Sequence, residues 1–568
     1  MNPIEQIPEH LQEYITQQDP SLYTFIDHAS WRYIMRVSKV FFAKHGHPLY
    51  LEGLKATGIA TERVPLVSEM DTALKKFGWR AVAINGFIPP SVFLEMQSLR
   101  ILAIACDIRT LEHLGYTPSP DIVHEAAGHA PIVADPEYRK YLEAYGEAAR
   151  HAVISKYDLE LYEAIFTLSQ LKEDPHSKPI QIQQAQKNFE TIAAQEKIPS
   201  EAALLTRMAW WTTEYGLVGP IDKPLVYGAG LLSSVDESYA CLQPSVKKIP
   251  FSLQATIDTS YDITRPQPQL FVAKDFSELT VALNQFADLM AFRRGGVDAL
   301  KIGQQAENTV TVVLDNGLQF TGVLDSFGTQ NNETEETYFV LTGQKQVSMD
   351  SIFIEEFPRH DIGNKLFVPL FDKNISRSSL TDIQRKLHGS GLLTKGGLRI
   401  MGRYKKEILV NGFVRILLLE QTKIVNQNDE VVFQEKDRVF PLTLASQVTS
   451  VFGGAADRKE FALRHGNLQK KVLSHKTNLT AENSDLNDLY QAVRAFRESN
   501  KKDLTELEPI IAKLNEAYPK DWLLRLELLE LYQKLSPTSM LTAHLKDALV
   551  LLKKEKGLTH LIQRGLEL

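Results

Sequence analysis

The sequence predicts a multidomain protein in which a mainly α-helical domain is followed by a β-rich domain and then by a C-terminal helical segment. Three observations predict this order. The chain has 568 residues, more than one hydrophobic core ordinarily serves. Its apolar period switches from helical to strand-like after the pair Gly295-Gly296, and it becomes helical again from about Thr477.

In the first region, residues 137–155 and 182–195 carry apolar side chains at helical spacing. Turn signals separate such stretches: Gly86 with Pro89-Pro90, then Pro118 and Pro120, Asp174-Pro175, and Pro199-Ser200. Residues 242–269 read as extended and proline-punctuated, and residues 276–294 as one amphipathic helix ending at the glycine pair. Beyond it, residues 309–324 form two strand-like runs around Asn316-Gly317, a strong hairpin signal. Further strands are expected at 338–341, at 408–422 around Asn411-Gly412, and at 431–433. In the last region Leu524, Leu528, Leu531 and Leu535 share a helix face, and Pro509, Pro519 and Pro537 break the helices into short pieces. No fixed period is long enough for a solenoid, so this region reads as a small bundle. The expected domains are therefore 1–296, 297–474 and 475–568.

Composition narrows the function classes. The chain is 43% apolar and 23% charged, with a net charge of -7, so no basic face marks nucleic acid as its partner. Its apolar runs are too short for a bilayer-spanning helix, and the N-terminal residues MNPIEQIPEHLQEY are acidic and amphipathic. A cytoplasmic, unprocessed protein that touches no membrane is expected. Two cysteines, Cys106 and Cys241, exclude a disulfide framework and a multi-cysteine zinc ribbon.

The stretch PDIVHEAAGHAP, residues 120–131, places His124 and His129 five residues apart with Glu125 beside the first. A zinc-protease motif needs histidines at i and i+4 on one helix face. A five-residue step on an unbroken α-helix turns the side chains roughly 140° apart, so that reading fails. Gly128 offers an escape by relaxing or ending the helix. A third ligand is available at Glu214 in AWWTTEYGL, residues 209–217, where a carboxylate between Trp211 and Tyr215 is costly to bury without a cation or metal. Two histidines, one carboxylate and no thiolate describe the facial triad of non-haem Fe(II) oxygenases. Spacing alone does not bring Glu214 to the histidines.

Five blocks in order carry a family resemblance: IRTLEHLGYTPSPD, PDIVHEAAGHAP, DPEYRKYLEAYG, WWTTEYGL and YGAGLLSS. Over roughly residues 20–295 the chain resembles the pterin-dependent aromatic amino acid hydroxylases, and among them the bacterial phenylalanine 4-hydroxylases. The resemblance implies a catalytic domain that binds Fe(II) through His124, His129 and Glu214 and uses oxygen and a tetrahydropterin, such as tetrahydrobiopterin, to hydroxylate L-phenylalanine to L-tyrosine. It implies that Arg109 holds the substrate carboxylate, a task suited to a guanidinium fork. Thr117 and Ser233 then lie near the amino acid backbone, Pro120 and Trp210 wall its ring, and Gly230 allows the chain to come close. Phe93 is the expected stacking partner of the pterin, with Ile88 on the same side. Glu125 is the expected catalytic acid, contacting the pterin through water.

Departures from the family pattern fall around the cofactor: Ala209 replaces a tyrosine, Ala103 a histidine and Pro90 a serine. The interval from His129 to Glu214 is about twice the usual length, and its surplus, residues 158–197, reads as an added helical hairpin on the surface. Ile263, apolar near a position where tyrosine-using members place an acid, leans toward phenylalanine or tryptophan. The alternatives are a tryptophan or tyrosine hydroxylase, or a catalytically altered metal-binding or amino-acid-sensing protein. A zinc hydrolase is the remote alternative. Residues 300–568 carry no recognisable signature and are the expected place for self-association or a protein partner.

Overall fold

The helix Phe25–His45 is buried over much of its surface between Ala29 and Phe42, with Trp31, Ile34 and Met35 wholly buried. Its start is fixed by a capping box in which Thr24 and Asp27 each bond the other's backbone N–H. The computed structural model describes residues 7–86, 88, 90–115, 120–173, 177–195, 198–262, 266–331, 333–357, 365–375, 379–465, 481–499 and 501–568. The chain divides into two compact units that interleave along the sequence.

One unit comprises Glu13–Gly146, Arg207–Ala282 and Lys471–Leu568, and the helix Phe25–His45 belongs to it. Beside the helices lie two small sheets. In the first, the strands Arg80–Ile84 and Ile101–Ala105 run parallel, with Ile15–Thr16 on the edge. Every residue of Ile101–Ala105 is buried, the unalternating apolar run that a covered parallel strand requires. The second orders Leu225–Val226, Leu217–Val218, Gln269–Ala273 and Lys247–Pro250. These sheets refine the mainly helical expectation; three of their seven strands have only two residues and leave no period to read.

Residues 475–568, set out above as a separate C-terminal region, fall within this unit. Their helices are Ala481–Glu498, Glu508–Ala517, Leu523–Leu535, Met540–Leu552 and Thr559–Leu566. Several of them meet the helix Phe25–His45 directly. Arg32 pairs with Glu527 at 2.6 Å and Glu530 at 2.8 Å, Tyr33 donates to the Leu561 carbonyl at 2.7 Å, and the rings of Tyr33 and Trp522 meet edge-on at 5.1 Å.

The other unit comprises Met1–Gln12, Glu147–Thr206 and Leu283–Lys470. Both expected hairpins form, by different turns. Asn411 and Gly412 take φ of +53° and +78° and close Arg399–Val410 onto Phe413–Val425 in a two-residue loop, the geometry Asn-Gly favours. At Asn316-Gly317 only the glycine has positive φ, +84°, in a longer loop between Thr309–Leu314 and Leu318–Gln330. The strands expected at 338–341 and 431–433 lie within Glu335–Met349 and Val431–Glu435. Six strands make one antiparallel sheet and five another, over a core that includes Val310, Val312, Phe320, Leu341, Ile408 and Leu418. The helices Lys156–Glu173 and Pro179–Ala193 occupy the surplus interval and pack together.

Two expectations differ in detail. Residues 276–294 are two helices, Phe276–Ala287 and Ala291–Arg294, because Met290 turns to extended backbone and is buried. Within 242–269, a helix Leu253–Asp258 follows Ser252, whose hydroxyl caps Ala255. Among the described residues, no helix is long and apolar enough to cross a membrane.

Candidate metal centre

The five-residue step between His124 and His129 is resolved by the winding of the backbone. Residues His124–His129 form a widened, π-type turn in which the Ala130 N–H reaches the Glu125 carbonyl, five residues back. In such a turn, residues five apart stack one above the other. Of the two roles the sequence allowed Gly128, relaxing or ending the helix, ending it is excluded: Ala130–Ile132 continues the helix. Its role is close packing: a Cβ there would stand 2.6 Å from the Ala229 carbonyl oxygen. Pro131 brings no N–H to the helix, and the Tyr50 hydroxyl donates to the Ala127 carbonyl at 3.0 Å.

Glu214 stands at the end of a second turn of the same kind, Trp210–Glu214, where the Tyr215 N–H bonds the Trp210 carbonyl at 2.9 Å. The threonines of WWTTE support the widening. Thr212 and Thr213 hydroxyls donate to the carbonyls of Met208 and Ala209, at 2.6 and 2.9 Å, bonding back by four residues in the way that distorts helices.

Together the two turns bring one ligand atom from each of His124, His129 and Glu214 within 4.8 Å of one another. His129 Nε2 lies 3.1 Å from His124 Nε2, and the Glu214 carboxylate is 3.4 Å from the first histidine and 3.2 Å from the second. Among the described residues no other group of three or more His, Cys, Asp or Glu is placed to hold a metal.

Hydrogen bonding sets the tautomer of His124. The Ser233 hydroxyl donates to the Ala229 carbonyl at 2.7 Å, so toward His124 Nδ1, at 3.2 Å, its oxygen accepts. Nδ1 therefore carries the proton, and the lone pair sits on Nε2, facing the other two groups. Burial pushes the His124 pKa down to about 4. Burial also lowers that of His129, but the Glu214 charge and hydrogen bond more than reverse this and take it up to about 9. Burial would raise Glu214, yet the two imidazoles hold it down at about 2. A cation belongs between these groups. Two nitrogens and a carboxylate without thiolate suit a divalent first-row metal such as Fe(II).

Residues 10–159 and 189–296 match the family of biopterin-dependent aromatic amino acid hydroxylases. The match lies wholly within the first 296 residues of the chain. The hydroxylase match omits residues 160–188, which fall in the surplus interval. The phenylalanine-4-hydroxylase of Chromobacterium violaceum is 26% identical over 269 residues, 47% of this chain and 76% of its own. That of Caulobacter vibrioides is 28% identical over 279 residues, 48% of this chain and 79% of its own. A crystallographic structure of the Chromobacterium violaceum phenylalanine hydroxylase aligns with 50% of this chain and 94% of its own, at 25% identity and a TM-score of 0.37.

Within the hydroxylase region, Arg109 is buried and already engaged. Its Nε and Nη2 donate to Asp121 at 2.8 and 2.7 Å, and its Nη1 donates to the Ser233 carbonyl at 2.9 Å. A guanidinium has five N–H groups, so among the described residues Nη1 and Nη2 each keep one for a further acceptor. Asp121, which sequence reasoning passed over, also accepts the N–H of His124 at 3.0 Å. The signal was its place three residues before the histidine, where a carboxylate caps a helix.

Phe93 comes within 6.4 Å of the His129 ring, centroid to centroid. Glu125 is buried, and burial pushes its carboxyl up to about 8, so it is neutral at pH 7. Trp210 stacks on Tyr261 at 4.4 Å, and its buried indole N–H has no hydrogen-bond partner among the described residues. Gly230 lies where a Cβ would meet the Tyr215 ring at 3.0 Å and the Glu214 carbonyl at 3.1 Å. The close approach there is to the chain's own metal-site turn. Ile88 is buried and Pro120 exposed. Ala103 is buried in the strand Ile101–Ala105, and Ala209 opens the second widened turn. Thr117 and Ile263 lie outside the described residues, as does the side chain of Pro90.

Proposed function

We propose that this chain hydroxylates L-phenylalanine to L-tyrosine with molecular oxygen, using Fe(II) held by His124, His129 and Glu214 and a tetrahydropterin as co-substrate. The observation that carries this reading is the convergence of those three donors beside a buried Arg109 that, among the described residues, keeps two N–H groups free. When bound, the metal and pterin supply the oxygen activation. The protein's own residues bind, orient and exclude water.

In this reading Arg109 takes the amino acid carboxylate on its remaining N–H pair, while Asp121 keeps its charge balanced and its plane fixed. Ser233 holds His124 in the tautomer that offers Nε2. Trp210, stacked on Tyr261, forms a flat wall for an aromatic ring. Phe93 and Ile88 offer an apolar face to the pterin. Glu125, neutral at pH 7, keeps a proton to donate toward it through water. A reducing, cytoplasmic setting accords with two free thiols, Cys106 and Cys241. Residues 1–296 make the catalytic region in this proposal.

The test is an aerobic assay of the purified full chain with Fe(II), tetrahydrobiopterin and each of phenylalanine, tyrosine and tryptophan. Tyrosine formed in step with pterin oxidation is the expected result. Hydroxylation of tryptophan or tyrosine instead would replace the substrate, and metal binding without any product would make the chain a binding protein.

A further inference from the structure

The last helix, Thr559–Leu566, sends one side chain to the segment that supports the metal site. Arg564 Nη1 lies 2.5 Å from Asp236 Oδ1, and its guanidinium carbon sits 4.1 Å from the Tyr239 ring centroid. The arginine side chain is 9% exposed and the aspartate 48%, so the guanidinium is pressed between a ring and a carboxylate that water still reaches. The helix presenting it is itself held. Leu561 accepts from the Tyr33 hydroxyl at 2.7 Å, and Gly565 is so close to Leu526 that a Cβ would stand 2.5 Å from its Cδ2.

Asp236 occupies the first turn of the helix Val235–Ala240, and its surroundings lead to the site on three sides. Its N–H bonds the Gly115 carbonyl at 3.3 Å, which the Ser234 hydroxyl also reaches at 3.0 Å. A Cβ on Gly115 would lie 2.2 Å from Asp236 Oδ2. Just before it, Ser233 meets His124 through its hydroxyl and Arg109 through its carbonyl. Just after it, Glu237 accepts from the Tyr215 hydroxyl at 2.8 Å, and Tyr215 follows Glu214 in the chain. Five residues, 233–237, thus touch a metal-site histidine, the buried arginine and the neighbour of the metal-site carboxylate.

We propose that Arg564 is a positioning residue: by holding Asp236 it fixes residues 233–237 and, through Ser233, the orientation of His124 and Arg109. The pair is exposed on its aspartate side alone, and ion pairs that water reaches add little to stability, so the effect falls on geometry. A partner that orients a metal-binding imidazole changes metal affinity while itself touching no metal. The C-terminal region thereby has a task in the site of the hydroxylase region. The inference rests on the metal site proposed above, and for its kinetic readout alone on the hydroxylation.

The test uses the full chain with Arg564→Ala, Arg564→Lys and Asp236→Asn, read by Co(II) affinity, the Co(II) visible spectrum, and the phenylalanine KM and kcat. For Arg564→Ala the expected result is a Co(II) Kd raised roughly fivefold, a coupling of ordinary size between contacting groups, with an altered spectrum. KM rises more than kcat falls, and Arg564→Lys, which keeps the charge, restores most of both. If Arg564→Ala fails to fold, Asp236→Asn, which leaves Arg564 on Tyr239, carries the same expectation. Wild-type Co(II) affinity and spectrum in a folded variant would overturn the proposal and leave Arg564 a clasp for the last helix. A wild-type chain that binds Co(II) but forms no tyrosine sinks the hydroxylation alone, and the Co(II) comparison still decides the role of Arg564.

Discussion

Asp121 grips Arg109 through both carboxylate oxygens, at 2.8 and 2.7 Å, with neither side chain more than 4% exposed. Asp121 also accepts the N–H groups of Arg109 and His124, so one carboxylate joins the arginine to the helix that starts the metal site. Asp121→Asn leaves a buried guanidinium without its counter-charge. A loss of roughly 3 kcal/mol in urea unfolding is expected, along with a higher phenylalanine KM. Burial raises the Asp121 pKa, but Arg109 and the N–H groups more than offset this and hold it below its ordinary value. A depressed carboxylate contributes stability above its unfolded pKa, near 4, and loses it as pH falls further. The variant should therefore show a shallower acid limb than wild type, and an unchanged limb would contradict this account of the pair.

Glu214→Ala removes the only carboxylate of the three-donor group. Fe(II) or Co(II) affinity, by titration under anaerobic conditions, should fall by more than about 100-fold, beyond what an outer hydrogen-bond partner contributes. Ser233→Ala removes such a partner from His124 and should cost about tenfold. Equal losses in the two variants would mean that Glu214 is no ligand.

Gly128→Ala puts a methyl group 2.6 Å from the Ala229 carbonyl oxygen, on backbone that cannot swing away. Overpacking of this kind costs about 1–3 kcal/mol. Because Gly128 lies between the two histidines, the melting temperature and the metal affinity should fall together. A destabilised variant with native metal affinity would show that the widened turn tolerates displacement.

Burial pushes the Glu237 carboxyl up to about 7, although its hydrogen bond from Tyr215 lowers it. A raised pKa means the folded state holds its proton longer than the unfolded chain does. The stability so contributed is complete below the unfolded pKa, near 4.3, and is lost as pH climbs to about 7. Glu237→Gln keeps an acceptor for Tyr215 without the charge. Its stability advantage over wild type should therefore grow between pH 4.3 and pH 7, to at most about 3 kcal/mol. A pH-independent difference in chemical denaturation would place the charge in water.

Sequence patterns and physical structure part company at the metal site. His124, His129 and Glu214 stand out because His and Glu between aromatic and proline residues ask for a partner. Their convergence was not legible, since a helical wheel drawn for an α-helix places the histidines about 140° apart. The π-type winding that corrects this is accompanied by the Tyr50 hydroxyl on the Ala127 carbonyl at the histidines, and by threonine hydroxyls on the carbonyls of Met208 and Ala209 at Glu214. Tyr50 is 77 residues from Ala127, beyond any local window.

By itself the sequence determined the elements with long periods and marked turns: the helix Leu523–Leu535, the hairpins at Asn316-Gly317 and Asn411-Gly412, and the switch in period after Gly295-Gly296. Those signals are local, written in φ preference and side-chain spacing. Tertiary structure alone decided which segments share a core. It sets residues 471–568 in one unit with Glu13–Gly146 and Arg207–Ala282, places Arg564 on Asp236, and closes Asp121 on Arg109. Apolar burial has no direction and no sequence range, so an amphipathic helix announces that it will be covered, and only the folded chain names what covers it.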